Sequence, residues 1–306
     1  MPFLDKKQVQ FSDGQPQAIP LSGRTEDSRR GSALFPVCSN AACKAGRLRL
    51  WRSRQTPVLE GGWLCSPECT RARLREMLAR EMEGRSEVPV VHQHRVPLGL
   101  VMLAQGWITQ AQLRNAIEAQ RQGNQKRLGD LLVELHGLDQ RLVTRALGIQ
   151  WNCPIFSLDG FQPALVSSLV PRLLLDSFGF VPVRATLSSR LHIGFEGHLD
   201  PCVTFAIERM TGCRVEAGLL SGSDFRLAHP QMLAVAFPKT RLMEAAGLEP
   251  LVHALSLVLE GSRAVEARLV RVHDFFWLRI WRVASGQTVP RREDVEDVIC
   301  SLMQAN

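Results

Sequence analysis

The chain has 306 residues, 45% of them apolar, enough to bury a core and, at about 100 to 200 residues per domain, to divide it among two or three domains. No apolar run approaches the ~20 residues needed to cross a bilayer, and the opening MPFLDKKQVQFSDGQ lacks the charged-then-apolar layout of an export signal, so a cytoplasmic protein without membrane insertion is expected. The net charge of +7 is concentrated early: residues 1–86 carry 15 Lys and Arg against 9 Asp and Glu, and the remainder carries 22 against 21.

In chain order, residues 1–33 are rich in Gln, Ser, Gly, Asp and Arg without apolar periodicity, and read as a flexible tail. Residues 34–84 hold four of the eight cysteines and then TRARLREMLAREMEG, a helix-forming run that stops at Gly84. Residues 85–96, near Pro89 and Pro97, read as an extended linker. From 97 to 151 apolar residues recur at helical spacing, broken at Gly106, Gly123-Asn124 and Gly137. From 152 to 235 the pattern is mixed, with FVPVRA and RLHIGF as short strands and DPCVTFAIERMTG as a helix opened by Asp200 and Pro201. Residues 236–306 read as an α-β-β-α piece: helix EPLVHALSLVLEG, strands EARLVRVH and FFWLRIWRV with His273-Asp274 at the turn, and helix REDVEDVICSLMQ. The expected fold class is therefore α+β and multidomain: a small zinc module, a helical tandem-repeat unit, an α/β subdomain and that C-terminal piece.

Cys38-x4-Cys43 and Cys65-x3-Cys69 supply two close thiolate pairs, the ligand set of a tetrahedral structural Zn2+. GGWLCSPEC runs directly into a helix, so the second pair sits where the helix dipole favours thiolates. The arrangement resembles small treble-clef or ribbon-type zinc modules, whose metal stands in for a core too small to be stable alone. Between residues 34 and 85 there are 10 Lys and Arg against 5 Asp and Glu, so nucleic acid is an alternative partner for this basic module, beside an acidic protein or plain solvent.

The most informative feature is an internal duplication. LGLVMLAQGWITQAQLRNAIEAQ, from Leu98, aligns without a gap with LGDLLVELHGLDQRLVTRALGIQ, from Leu128, at an offset of 30 residues. Leu98/Leu128, Gly99/Gly129, Gln110/Gln140, Ala116/Ala146 and Gln120/Gln150 are identical, and Met102/Leu132, Leu103/Val133 and Ile117/Leu147 stay apolar. Each copy is a Leu-Gly turn, a helix, a glycine-bearing break and a second helix closing on Gln.

The repeat resembles the pattern RLGxxLxxxGxxxxxxLxxxLxxQ of the MshE-type N-terminal domain, the regulatory domain of type II secretion (GspE-like) and type IV pilus assembly ATPases. The likeness continues through WNCPIF to SGSDF, where a "VP" strand, a "DP" helix start and a "TG-x-x-V" strand follow in the family's order, so that about 140 residues are covered. Some members of that family bind the bacterial second messenger cyclic di-GMP. The resemblance implies a second cradle of Arg127, Leu128, Gly129 and Asp130, with Arg127 on phosphate, Asp130 accepting from the guanine edge and Gln150 closing it. In the first copy the corresponding residues are Leu98, Gly99 and Gln120. Pro97 stands at the arginine position, and Arg95 is the candidate substitute. Met102 and Leu132 join the nucleotide-binding set as apolar positions. On the other reading, these leucines and glycines pack a helical bundle with Gln120 and Gln150 on its surface.

Assembly ATPases carry G-x-x-x-x-G-K-[ST] after such domains, and this sequence has no Gly-Lys pair, so no ATP hydrolysis by that loop is expected. Toward the C-terminus, RLVRVHDFFWLRIWRV resembles the strands that precede the motor core in those enzymes. Cys153, Cys202, Cys213 and Cys300 lie in apolar settings and read as core, His92 and His94 as linker. The functional expectation is a non-catalytic adaptor or sensor, with a secretion or pilus assembly component as partner. A DNA-binding regulator, or an interaction protein without a ligand, is the alternative.

Overall fold

The computed structural model describes residues 37–43, 58–83, 95–123, 125–186, 188–262, 264–283 and 289–303. The tail expected at 1–33, most of the linker at 85–96, and His92 and His94 lie outside the described residues.

A hairpin of β1 (Val58–Leu59) and β2 (Gly62–Trp63) turns through Glu60 and Gly61, with φ of +47° and +80°. It leads into α1 (Pro67–Glu83), which Ser66 opens by accepting from the Cys69 amide and where Pro67 takes the first helical position, its missing N–H costing nothing there.

The duplicated segment forms four helices: α2 (Leu98–Ala104), α3 (Gln110–Arg121), α4 (Leu128–His136) and α5 (Gln140–Trp151). Thr109 caps α3 and Asp139, its equivalent 30 residues on, caps α5. The break glycines Gly106 and Gly137 take φ of +70° and +62°, and because the second lies one residue later in its copy, α4 outruns α2. The helices exchange partners between copies: α2 packs on α5, and α3 on α4. Their core pairs Val101 with Leu131, Met102 with Leu132 and Ala116 with Ala146, equivalent positions in the two copies.

The mixed segment follows as α6 (Pro163–Val166), α7 (Arg172–Phe178), β3 (Phe180–Ala185), β4 (Arg190–Phe195), α8 (Pro201–Thr211), β5 (Arg214–Leu219) and α9 (Gly222–Ala234). The expected strands FVPVRA and RLHIGF are β3 and β4, and the Asp-Pro helix is α8, with Asp200 accepting from the Val203 amide. β4 pairs antiparallel with β3 and parallel with β5, the β4-to-β5 connection running through α8.

The remainder comprises β6 (Lys239–Ala245), α10 (Leu248–Ser262), β7 (Glu266–Val272), β8 (Phe275–Trp281), a 3-10 turn at Arg292–Asp294 and β9 (Val295–Leu302). These strands join the N-terminal hairpin in one six-stranded sheet of order β2-β1-β7-β8-β9-β6. The central strands β7, β8 and β9 are largely buried on both faces, and their side chains alternate between them. Phe276, Leu278, Ile280, Val298 and Cys300 meet α1 and α10, whereas Trp277, Trp281, Val295 and Ile299 meet the α/β segment.

Two local expectations are corrected here. The final segment REDVEDVICSLMQ is a 3-10 turn and strand β9, not a helix, because Val295, Val298, Ile299 and Leu302 match helical spacing while serving two buried faces of a strand. The C-terminal piece thus gains β6 and β9 beside the expected helix and strand pair. The cysteine segment does not stand apart either: Leu59 of β1 pairs with Ala267 of β7, and α1 shares one core with α10.

Candidate functional site

The second copy opens onto a cavity of about 610 Å3. Arg127, Leu128, Gly129 and Asp130 line one side, Leu98 of the first copy contributes to the wall, and the loop Glu196-Gly197-His198 with Arg226 of α9 stands opposite. Lys126 is held at 2.6 Å by Glu134, and Arg226 lies 3.9 Å from Glu196. Arg127 and Asp130 have no ion-pair partner among the described residues, so the cavity presents one guanidinium and one carboxylate uncommitted. Gly197 makes room for Arg127: a Cβ there would lie 2.8 Å from its Nη1.

Gly99 and Gly129 are pseudo-symmetric packing points. A Cβ on Gly99 would meet Leu113 Cδ1 at 2.5 Å and Leu128 Cδ2 at 3.4 Å, and one on Gly129 would meet Val143 Cγ1 at 2.6 Å and Leu98 Cδ2 at 3.6 Å. Leu113 and Val143 are equivalent positions, as are Leu128 and Leu98. Each glycine therefore lets the second helix of its own copy come close while the leucine of the other copy leans over it. The closing glutamines cross over in the same way: Gln120 Nε2 donates to the Lys126 carbonyl at 3.1 Å, and Gln150 Nε2 to the Val96 carbonyl at 2.7 Å. Each thus pins the lead-in of the opposite copy.

The expected nucleotide set is therefore brought together only in part. Leu98, Arg127, Leu128, Gly129 and Asp130 line the cavity, and Gly99, Gln120 and Gln150 scaffold it. Arg95 stacks on the Trp151 ring, 3.2 Å from its centroid, and is not among the cavity-lining residues. Met102 and Leu132 are corrected: both are fully buried in the helical core, where facing helices consume their whole surface. Sequence reasoning missed the far wall, Glu196–His198 and Arg226, which lies 66 residues or more beyond Asp130 and carries no motif of its own.

The four expected metal ligands converge. The sulfurs of Cys38, Cys43, Cys65 and Cys69 all lie within 4.8 Å of one another, with Cys43 to Cys65 at 3.5 Å and Cys65 to Cys69 at 3.6 Å. Four thiolates about 2.3 Å from one tetrahedral ion stand roughly 3.8 Å apart, so the donor set fits such an ion. Without a cation the cluster works against itself: burial, and then the neighbouring Cys43, Cys69 and Cys38 thiols, push Cys65 up to about 12. Burial also opposes the Cys69 thiolate, but hydrogen bonds from Asn40, Ser66, Cys65 and Cys43 bring it down to about 7. Asn40 Nδ2 donates to Cys69 Sγ at 3.4 Å, the kind of outer contact that orients a ligating sulfur. Of the remaining cysteines, Cys213 and Cys300 are buried, and burial pushes Cys300 up to about 12, as suits an inert core thiol.

The basic residues of α1 are not free. Arg71, Arg73, Arg75 and Arg80 face Glu68, Glu76, Glu249 and Glu60 at 3.5, 2.8, 2.6 and 2.7 Å. Among the described residues, no helix is long and apolar enough to cross a membrane.

No protein-family model matches the chain, and no curated protein matches it. Among solved structures it is similar to MshE with cdg, at 22% identity over 45% of this chain and 99% of that one, with a TM-score of 0.36. It is also similar to the N-terminal domain of XpsE, at 17% identity over 44% of this chain and 92% of that one, with a TM-score of 0.32.

Proposed function

We propose that the chain is a non-catalytic adaptor or sensor that takes a cyclic dinucleotide, cyclic di-GMP, at the repeat unit, and that it works beside a secretion or pilus assembly component in the cytoplasm. The observation that carries this reading is the cavity of about 610 Å3, within the size of small-molecule sites, at which Arg127 and Asp130 stand uncommitted beside the apolar Leu98 and Leu128. A guanidinium suits phosphate, a carboxylate suits the N1/N2 edge of guanine, and leucines suit a base face. The reciprocal packing of Gly99 and Gly129 gives the unit a two-fold character like that of the ligand. Only one copy carries the arginine, since Pro97 holds the other position, so the dinucleotide is gripped chiefly by the second copy.

Zn2+ is the ion proposed for the four cysteines, as a structural ion with no open coordination position. The pairing of every arginine on α1 speaks against that helix as a DNA-contacting surface.

Calorimetry with cyclic di-GMP tests the sensor reading. The expected result is saturable heat that Arg127→Ala weakens about ten- to hundred-fold, the loss of one charged phosphate contact. Absence of heat from the unmodified chain at high micromolar ligand rejects the reading.

A further inference from the structure

A second cavity, of about 710 Å3, lies on another part of the molecule, between the α6 region, the end of β3 and the segment before β9. Nothing in the proposed sensor function uses it. Its walls are fixed by contacts between distant segments. Ser168, itself buried, donates from Oγ to the Pro290 carbonyl at 2.7 Å, the Arg282 amide donates to the Asp294 carbonyl at 2.8 Å, and the Asp294 amide donates to the Arg291 carbonyl at 3.1 Å, closing the turn that presents Arg291 and Arg292.

The lining combines two chemistries. Val289 and Leu165 supply apolar surface to the floor and mouth, backed by the buried Val166 and Val183, and Leu165 is 62% exposed, a large aliphatic group left in water. Around this floor stand Arg184, Arg291 and Arg292, with Glu293 as the carboxylate among the lining residues. Glu293 is committed to its own backbone N–H and to Arg292 at 3.5 Å, which together with the more distant charge of Arg291 hold its carboxyl below the usual range. Arg184 and Arg291 have no carboxylate within ion-pair distance among the described residues. A concave apolar surface edged by three guanidinium groups against one carboxylate is complementary to a negative group carried on an apolar body.

We infer that this cavity is a binding site for a small amphipathic anion, whose charged group meets Arg184 and Arg291 and whose apolar body covers Leu165 and Val289. Its size falls in the range of small-molecule sites, not of an extended protein interface. The ligand chemistry has two natural sources, an alkyl phosphate monoester or a fatty carboxylate, which share a charge at one end and an apolar body at the other.

The test uses the full chain and 8-anilinonaphthalene-1-sulfonate, followed by calorimetry and fluorescence. One saturable site per chain is expected. The Arg184→Glu/Arg291→Glu double variant should bind at least tenfold more weakly, and Leu165→Glu, which places a negative charge at the mouth, should do the same. All three positions are exposed, so circular dichroism should match the unmodified chain. Arg127→Glu, at the other cavity, should leave the affinity unchanged. Displacement of the probe by octyl phosphate points to the phosphate source, and displacement by octanoate to the carboxylate source. Absence of saturable binding, a loss of less than tenfold in the double variant, or sensitivity to Arg127→Glu overturns the inference.

Discussion

The helical repeat unit and the six-stranded sheet are held together by opposite means. In the repeats, 54 residues from Leu98 to Trp151 close a core among themselves, using two glycines, two crossed glutamines and equivalent apolar pairs. The sheet draws β1 and α1 from one end of the chain and β6 to β9 from the other, and fastens them with charges and a cysteine cluster. Arg279 and Asp297, both fully buried, form a two-pronged pair at 2.7 and 2.8 Å. Trp277 Nε1 donates to the same carboxylate at 2.7 Å, and Arg279 Nη1 reaches the Leu169 carbonyl at 2.7 Å, tying the sheet to the α/β segment. The lesson is that local, repeated sequence can hold itself by packing, whereas a sheet assembled from distant segments needs specific fasteners to select its strand order.

The largest expected effect follows from removing the metal fastener. Isolated zinc modules gain on the order of 10 kcal/mol from their ion, and here part of that gain anchors β1 and α1 to β7 and α10. Chelation, or Cys65→Ser, should lower the thermal midpoint and expose α1 to hydrogen exchange while protection in α2 to α5 persists. Equal loss of protection in both regions would show that they unfold as one. Next in size, Arg279→Met leaves Asp297 buried without its partner, at a cost of about 3 to 5 kcal/mol by chemical denaturation. Arg279→Met/Asp297→Leu should recover part of that, but not all, since Trp277 Nε1 and the Leu169 carbonyl lose their partners as well.

A smaller effect separates the two repeats. Gly129→Ala drives a methyl to 2.6 Å from Val143 Cγ1, an atom fixed to a β-branched carbon, whereas Gly99→Ala meets the end of Leu113, which can swing aside. Overpacking costs about 1 to 3 kcal/mol, and alanine regains about 1 kcal/mol of helix propensity. Gly129→Ala should thus be destabilising, by up to about 2 kcal/mol, and Gly99→Ala nearly neutral. Equal midpoints for the two variants would refute this asymmetry.

What the sequence made legible follows the same division. The offset of 30 residues revealed the repeat helices and their glycine-bearing breaks because every determinant lies within one short window. The cysteine cluster was legible because ligand spacing is itself the signal. β9 was not, since a strand buried on both faces loses the two-residue alternation and can satisfy helical spacing by chance. β6 went unnoticed as a half-exposed edge strand bearing Lys239, Arg241 and Glu244, a composition that protects an edge and hides a strand. The far wall of the repeat cavity and the joining of α1 to the C-terminal sheet arise from tertiary packing between segments far apart in the chain, for which one sequence carries no local mark.

The smallest prediction concerns the seam where the two ends of the chain meet. Glu60, in the β1–β2 turn, is ion-paired with Arg80 of α1 at 2.7 Å and with Arg209 of α8 at 3.4 Å. Burial alone would raise its carboxyl, but Arg80, Arg209 and Arg73 together hold it below its ordinary value of 4.5. A carboxylate whose folded value is depressed stabilises the fold above the unfolded value, and that contribution disappears as pH falls through the folded one. Glu60→Gln should therefore cost stability at pH 7, by less than about 1 kcal/mol because the arginines remain partly solvated, and the difference from the unmodified chain should close in acid below pH 4.5. A gap that stays constant from pH 7 into acid would mean that shape, not charge, is what Glu60 contributes to the seam.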